Sequence, residues 1–188
     1  MTLFVAWMLL ALVGVIVMGV AMFEGVLAWS LFATAAPWVP LSERGIAALL
    51  EGLGALPAGA LVIELGSGDG RVLRAIVDRY PGVRGVGLEQ SRILTWYARG
   101  RVGHRRARIA FRRADCFRER WESASCIVCY LLPPSMPLVA EKAMRELAPD
   151  ARLLTMGFPV PGWRPRRVVA PANGEPCYEY RIGDMPHP

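Results

Sequence analysis

The segment Glu64-Leu65-Gly66-Ser67-Gly68-Asp69-Gly70-Arg71 combines residue types and spacing that bear directly on chemistry. Glycines at alternate positions let a backbone turn sharply and approach a ligand closely. A dinucleotide fingerprint spaces its glycines G-x-G-x-x-G and offers a helix N-terminus to a pyrophosphate. Here the spacing is G-x-G-x-G, with Asp69 inside the loop and Glu64 just before it. Acids are poor neighbours for pyrophosphate and good ones for an amino group and a sulfonium, so the loop predicts S-adenosylmethionine over NAD. Glu89 follows Gly70 by 19 residues, where a carboxylate can accept hydrogen bonds from both ribose hydroxyls. Asp115 either accepts from an adenine amino group or belongs to a solvated loop. The candidate cofactor contacts are therefore Glu64, Gly66, Ser67, Gly68, Asp69, Gly70, Glu89 and Asp115. Methyl transfer from a sulfonium is an in-line displacement, so alignment and desolvation matter more than a dedicated base.

Such residues need elements to hold them, and the hydrophobic pattern supplies alternating strands and helices. An amphipathic helix is expected from Ser42 to about Leu56, then a strand at Ala60–Leu65 leading into the glycine loop. Val72, Leu73, Ile76, Val77 and Tyr80 line one face of the following helix, which Pro81-Gly82 ends. Further strands are expected at 83–88, 109–112, 125–132 and 152–156. Helices are expected around Ser91–Arg101 and after Ser135, a candidate cap with Pro137 in its first turn and Met136, Ala140, Ala143 and Leu147 facing inward. The tail, with 167–170 and 177–182 flanking Asn173-Gly174, reads as an antiparallel hairpin. The fold class is α/β, a Rossmann-like, mainly parallel sheet with helices on both faces, and its ligands bind beyond the C-terminal strand ends.

The chain is 54% hydrophobic, and the excess sits at the N-terminus. No side chain from Thr2 to Phe23 is charged. About 22 residues at helical rise reach roughly 33 Å, enough for a hydrocarbon core. Residues 1–42 are read as a transmembrane anchor with an interfacial linker, and 43–188 as the catalytic domain. The rival is a cleaved signal peptide ending near Ala33-Thr34-Ala35, which the absence of an N-terminal Lys or Arg and the presence of Glu24 disfavour. Glu24 falls at headgroup level, and Gly25–Leu41, with Trp29, Pro37, Trp38 and Pro40, suits an interfacial helix and broken linker, a second span being the alternative. Basic residues follow the span, which by the positive-inside rule makes this a single-pass membrane protein with a cytoplasmic catalytic domain.

The net charge is +6, and Lys142 is the only lysine. Seven arginines fall between Arg99 and Arg113, a cluster suited to anionic headgroups or plain solvation and less to nucleic acid. Cys126 and Cys129 lie three apart in an apolar run, on opposite faces of a strand, and no metal is expected from this cysteine and histidine set.

With Trp96-Tyr97-Ala98-Arg99, Tyr130-Leu131-Leu132-Pro133 and Phe158-Pro159-Val160-Pro161-Gly162-Trp163-Arg164-Pro165, residues 60 to about 182 resemble a known family. It is the membrane-anchored class I (seven-strand) protein-lysine methyltransferases of the ATP synthase c-subunit and ADP/ATP carrier type, with their prokaryotic relatives. Glu64 stands where the family commonly has Asp, and Gln90-Ser91 where it has Leu-Asn. The resemblance implies S-adenosylmethionine as cofactor, N-methylation of a lysine in a membrane-associated protein, and an acceptor beside the Tyr130–Pro134 turn. Tyr130, Pro133 and Trp163 are the candidate catalytic residues: Tyr130 accepts from the amine or merely packs, and Trp163, with Phe158, lines the acceptor channel or packs the loop. A lipid or quinone-like acceptor, an RNA acceptor, and a non-catalytic cofactor-binding adaptor are the alternatives.

Overall fold

A computed structural model of the chain describes residues 2–32 and 38–185. Two compact units divide between Trp38 and Val39. The first holds α1 (Thr2–Phe32), a helix without proline whose stretch Trp7–Gly25 is long and apolar enough to cross a membrane and buries nothing within the chain. The helix does not stop at Glu24. No helix breaker stands between Gly25 and Phe32, so those residues continue the first helix as one element. The Ala33-Thr34-Ala35 site lies outside the described residues.

The second unit is a seven-stranded sheet in the order β3-β2-β1-β4-β5-β7-β6. Its strands are β1 (Leu61–Leu65), β2 (Arg84–Glu89), β3 (Ile109–Arg113), β4 (Cys126–Cys129), β5 (Arg152–Met156), β6 (Arg167–Val169) and β7 (Cys177–Arg181). The first five are parallel, and β7 runs antiparallel between β5 and β6. The strand order reverses at β1, which pairs with both β2 and β4, and the glycine loop leaves the sheet at that switch point.

Helices α2 (Glu43–Leu53), α3 (Arg71–Arg79) and α4 (Arg92–Gly100) cover one face. The core there joins Leu49, Leu53, Leu73, Ile76 and Val77 to Val62 and Cys126. On the other face α5 (Met136–Glu146) and the connection through fully buried Trp121 pack against Ile63, Ile127, Cys129 and Leu153. Cys126 and Cys129 thus point to opposite faces, and burial pushes the thiols of Cys116, Cys126 and Cys177 up to about 12.

Two helix caps follow the side-chain chemistry. Ser42 accepts from Gly45 N at 3.0 Å and Ser91 from Leu94 N at 3.3 Å. Ser135 does not cap: it closes a 3-10 turn, Pro133–Ser135, that runs directly into α5. The fourth strand is also shorter than its apolar run. Its partner β1 ends at Leu65 opposite Cys129, and the two prolines after Leu132 bend the chain away, leaving Tyr130–Leu132 in the loop. α5 turns Met136, Val139, Lys142 and Ala143 inward, with Ala140 and Leu147 packed on the same core as expected, so the only lysine is buried, paired with Glu146 at 2.5 Å and 5.1 Å from the Trp121 ring centroid.

Candidate active site

The loop between β1 and α3 owes its shape to its glycines. Gly66, Gly68 and Gly70 have φ of 67°, 52° and 75°, the left-handed region that an L side chain rarely adopts. Gly70 also meets a ring: a Cβ there would collide with Phe111 Cζ. Phe111 stands opposite Gly87 across β2 and β3, where a Cβ would strike the edge of the same ring. Small residues on two elements therefore let one aromatic support the loop from below.

Glu89, the last residue of β2, fixes the loop's middle. Its Oε2 accepts from Gly68 N at 2.9 Å, and its Oε1 accepts from Ser91 N at 2.7 Å, which orients the start of α4. Each oxygen keeps a further lone pair, so a bound hydroxyl can still be received. The acid within the loop is engaged differently from the sequence expectation. Asp69 is buried and binds Arg71, whose Nε lies 3.2 Å from Oδ1 and 3.0 Å from Oδ2, and Arg74 donates to the Asp69 carbonyl at 2.8 Å. Arg71 therefore offsets the Asp69 charge, leaving Glu64 as the acid without a basic partner in the loop.

Glu64 is buried, and its Oε2 has no hydrogen-bond partner, nor does Ser67 Oγ. Burial first, then the neighbouring charges of Asp69 and Glu89, hold its carboxyl well above the ordinary range despite the Leu73 N–H and Arg74 nearby. Two orphaned buried oxygens beside a glycine-lined cradle fit a polar, cationic ligand that would complete their bonding.

The remaining candidates are spread around the C-terminal strand ends. Asp115 accepts from Phe117 N at 3.0 Å in a turn and lies 3.6 Å from Arg118 Nε, at the end of β3. Tyr130 packs with the core face of α2 and α3, its ring 2.9 Å from where a Cβ on Gly157 would stand. Burial, then the Glu175 charge, raises its phenol above the usual value. Pro133 is exposed at the start of the 3-10 turn. Trp163 packs on the opposite core, edge-on to Tyr180 at 5.7 Å, while the Tyr180 hydroxyl accepts from Val160 N at 2.9 Å. Tyr130 and Trp163 thus rest on different faces of the sheet. Residues not singled out by sequence are Phe111 and Glu175, whose Oε2 accepts from the Ser42 hydroxyl and so ties α2 to the β6–β7 turn. Phe111 is legible only with the β2–β3 register, and Glu175 gives no local signal.

Parallel strands with a switch-point glycine loop, an acidic β2 end and an antiparallel β7 define a class I methyltransferase fold. Residues 64–167 match the family described as the ANTKMT methyltransferase domain, and the chain belongs to that family. It is 32% identical over 135 residues to the human ATP synthase c-subunit lysine N-methyltransferase, a match covering 71% of this chain and 56% of that protein. It is 26% identical over 153 residues to a protein-lysine N-methyltransferase of Saccharolobus islandicus (strain REY15A), covering 79% of this chain and 94% of the relative. The chain thus spans little more than half the length of its human relative. Among solved structures, an RNA methyltransferase from Salinibacter ruber in complex with S-adenosyl-L-homocysteine superposes with a TM-score of 0.69 at 28% identity, covering 77% of this chain and 94% of that one.

Proposed function

We propose that this chain is an S-adenosylmethionine-dependent methyltransferase that methylates the side-chain nitrogen of a lysine in a membrane-associated protein. The observation that carries the reading is the glycine cradle with its two orphaned oxygens, in a chain whose residues 64–167 belong to this family. The names of the human and archaeal relatives support lysine as acceptor, as does a murine relative named adenine nucleotide translocase lysine N-methyltransferase.

When bound, S-adenosylmethionine would supply an activated methyl group on a sulfonium. In this reading Gly66, Ser67, Gly68, Asp69 and Gly70 form the cradle, Glu89 receives the ribose hydroxyls, Glu64 faces the ligand's positive end, and Asp115 receives the adenine amino group. The Tyr130–Pro133 turn and Trp163 border the acceptor. An amine must be neutral to attack, and an apolar lining from Trp163 and Phe158 would favour that form. The half-buried Tyr130 phenol accepts a hydrogen bond from the incoming amine and aligns it. Residues 1–42, with α1 as a single membrane span, hold the domain 43–188 at the cytoplasmic surface, which raises the effective concentration of a membrane-borne substrate.

RNA is the second reading, favoured by the Salinibacter ruber structure. Against it, part of the arginine cluster is engaged within the domain: Arg105 pairs with Asp78, and Arg108 donates to Val77 O at 2.7 Å. Parallel incubation of the full chain and labelled cofactor with membrane proteins, extracted lipids and total RNA distinguishes the acceptors. Label in a membrane protein is expected; label confined to RNA or lipid would overturn the lysine assignment.

A further inference from the structure

Helix α4 carries an exposed stripe that no role in the cofactor site explains. Ser91, Leu94, Thr95 and Ala98 face inward, while Ile93, Trp96, Tyr97 and Gly100 face out at the i, i+3, i+4, i+7 spacing of one helix face. Trp96 is 75% exposed, the highest value for any large apolar residue described in the catalytic unit. A solvent-facing tryptophan next to isoleucine and tyrosine is costly surface unless something covers it.

The charge around the stripe says what that partner is. The segment Arg92–Arg101 contains Arg92, Arg99 and Arg101 and no acid. Arg101 lies over the Tyr97 ring, 4.3 Å from its centroid, and Arg99 spends its Nε–H on a backbone carbonyl, so neither guanidinium is neutralised by a carboxylate among the described residues. Aromatic and branched apolar side chains ringed by uncompensated arginines match the boundary of an anionic bilayer, where indole rings lie at headgroup depth and guanidinium groups meet phosphates.

We propose that the outer face of α4 is a lipid-docking surface that rests on anionic headgroups. The inference rests on the reading of α1 as a membrane anchor, and it adds a second, orienting contact. Because Ser91 both caps α4 and donates its N–H to Glu89, a surface that fixes α4 also fixes how the cofactor carboxylate stands to the membrane. This second contact would present the catalytic site to substrates at the lipid surface.

The four cysteines are all buried, and a Cβ on Gly100 meets nothing within 4 Å, so Gly100→Cys offers one reactive thiol on the same face. A nitroxide attached there is read in full-length protein reconstituted into vesicles of phosphatidylcholine, with or without phosphatidylglycerol, by collision with a water-soluble nickel chelate. Cofactor binding by the labelled protein checks its fold. The expected result is that phosphatidylglycerol lowers chelate access about fivefold, and that adding Trp96→Ser restores it. Equal access in both vesicles, or immobilisation of the label by RNA but not by anionic lipid, would overturn the proposal. Flotation of the same vesicles separates the two readings: protein that does not float contradicts the anchor, whereas protein that floats with a water-exposed label contradicts only the α4 surface.

Discussion

The Glu89 carboxylate holds the middle glycine of the β1–α3 loop, with Gly68 N–H donating to Oε2 at 2.9 Å. One side chain at the end of β2 therefore both shapes the cradle and offers lone pairs to a ligand. Glu89→Ala removes both, and hydrogen bonds to a charged group are each worth about 1.5–3 kcal/mol. Cofactor affinity is expected to fall at least about tenfold. Calorimetric titration of the purified variant checks this, with circular dichroism confirming the fold; unchanged affinity would remove Glu89 from the site.

If Glu64 faces the cofactor's positive end as proposed, binding is pH-dependent. Burial, with Asp69 and Glu89, raises its carboxyl above the ordinary 4.5. The stabilisation from a raised acid is present below the unfolded value and lost as pH rises through the folded one, so the empty protein loses stability there relative to Glu64→Gln. A cationic ligand favours the ionised form, so affinity rises with pH across that window and binding expels a proton. Titration in two buffers of different ionisation heat measures the release. Wild type should show it and Glu64→Gln should not; equal heats for wild type would contradict the assignment.

Gly157 sets the place of Tyr130. Its φ is 75°, and an added Cβ would stand 2.9 Å from Tyr130 Cε2. If the Tyr130 ring borders the acceptor as proposed, Gly157→Ala should lower kcat for methyl transfer while leaving cofactor affinity within about twofold. Tyr130→Phe should lower kcat as well if its hydroxyl receives the incoming amine as proposed. Full activity of Tyr130→Phe would reduce the phenol to packing.

Lys142 is a structural cation. It pairs with Glu146, whose other oxygen accepts from Trp121 N at 3.0 Å. Lys142→Met leaves that half-buried carboxylate with only Arg145 and the Trp121 N–H as partners and should destabilise the domain by about 2 kcal/mol. Chemical denaturation checks it, and no change in midpoint would contradict the buried-pair account.

Periodicity locates the alternation of strands and helices because each element has one buried face: Val72, Leu73, Ile76 and Val77 turn inward on α3 as their spacing predicts. Boundaries fail where local apolarity outlasts pairing. Tyr130–Leu132 read as strand but have no partner once β1 ends. The apolar pattern ends the first helix near Glu24, whereas the helix runs on to Phe32, because one charge weighs heavily in hydropathy and little in helix geometry. In the site, glycine spacing reveals the cradle directly, since positive φ demands a residue type. Asp69 and Glu64 look alike in sequence, and the structure separates them: Asp69 pairs with Arg71, whereas Glu64 Oε2 has no hydrogen-bond partner. Likewise the arginine cluster looks like one patch in sequence, although Arg105 pairs with Asp78 and Arg108 donates to a backbone carbonyl.

The most direct test of lysine methylation is quantitative mass spectrometry of membrane proteins from cells lacking this chain, complemented with wild type or with Glu89→Ala. The predicted result is a methylated lysine in a membrane-associated protein that is present with wild type and absent with the variant and the empty strain. An identical lysine methylation profile in all three strains, with the wild-type protein expressed and binding cofactor, would contradict the proposed function.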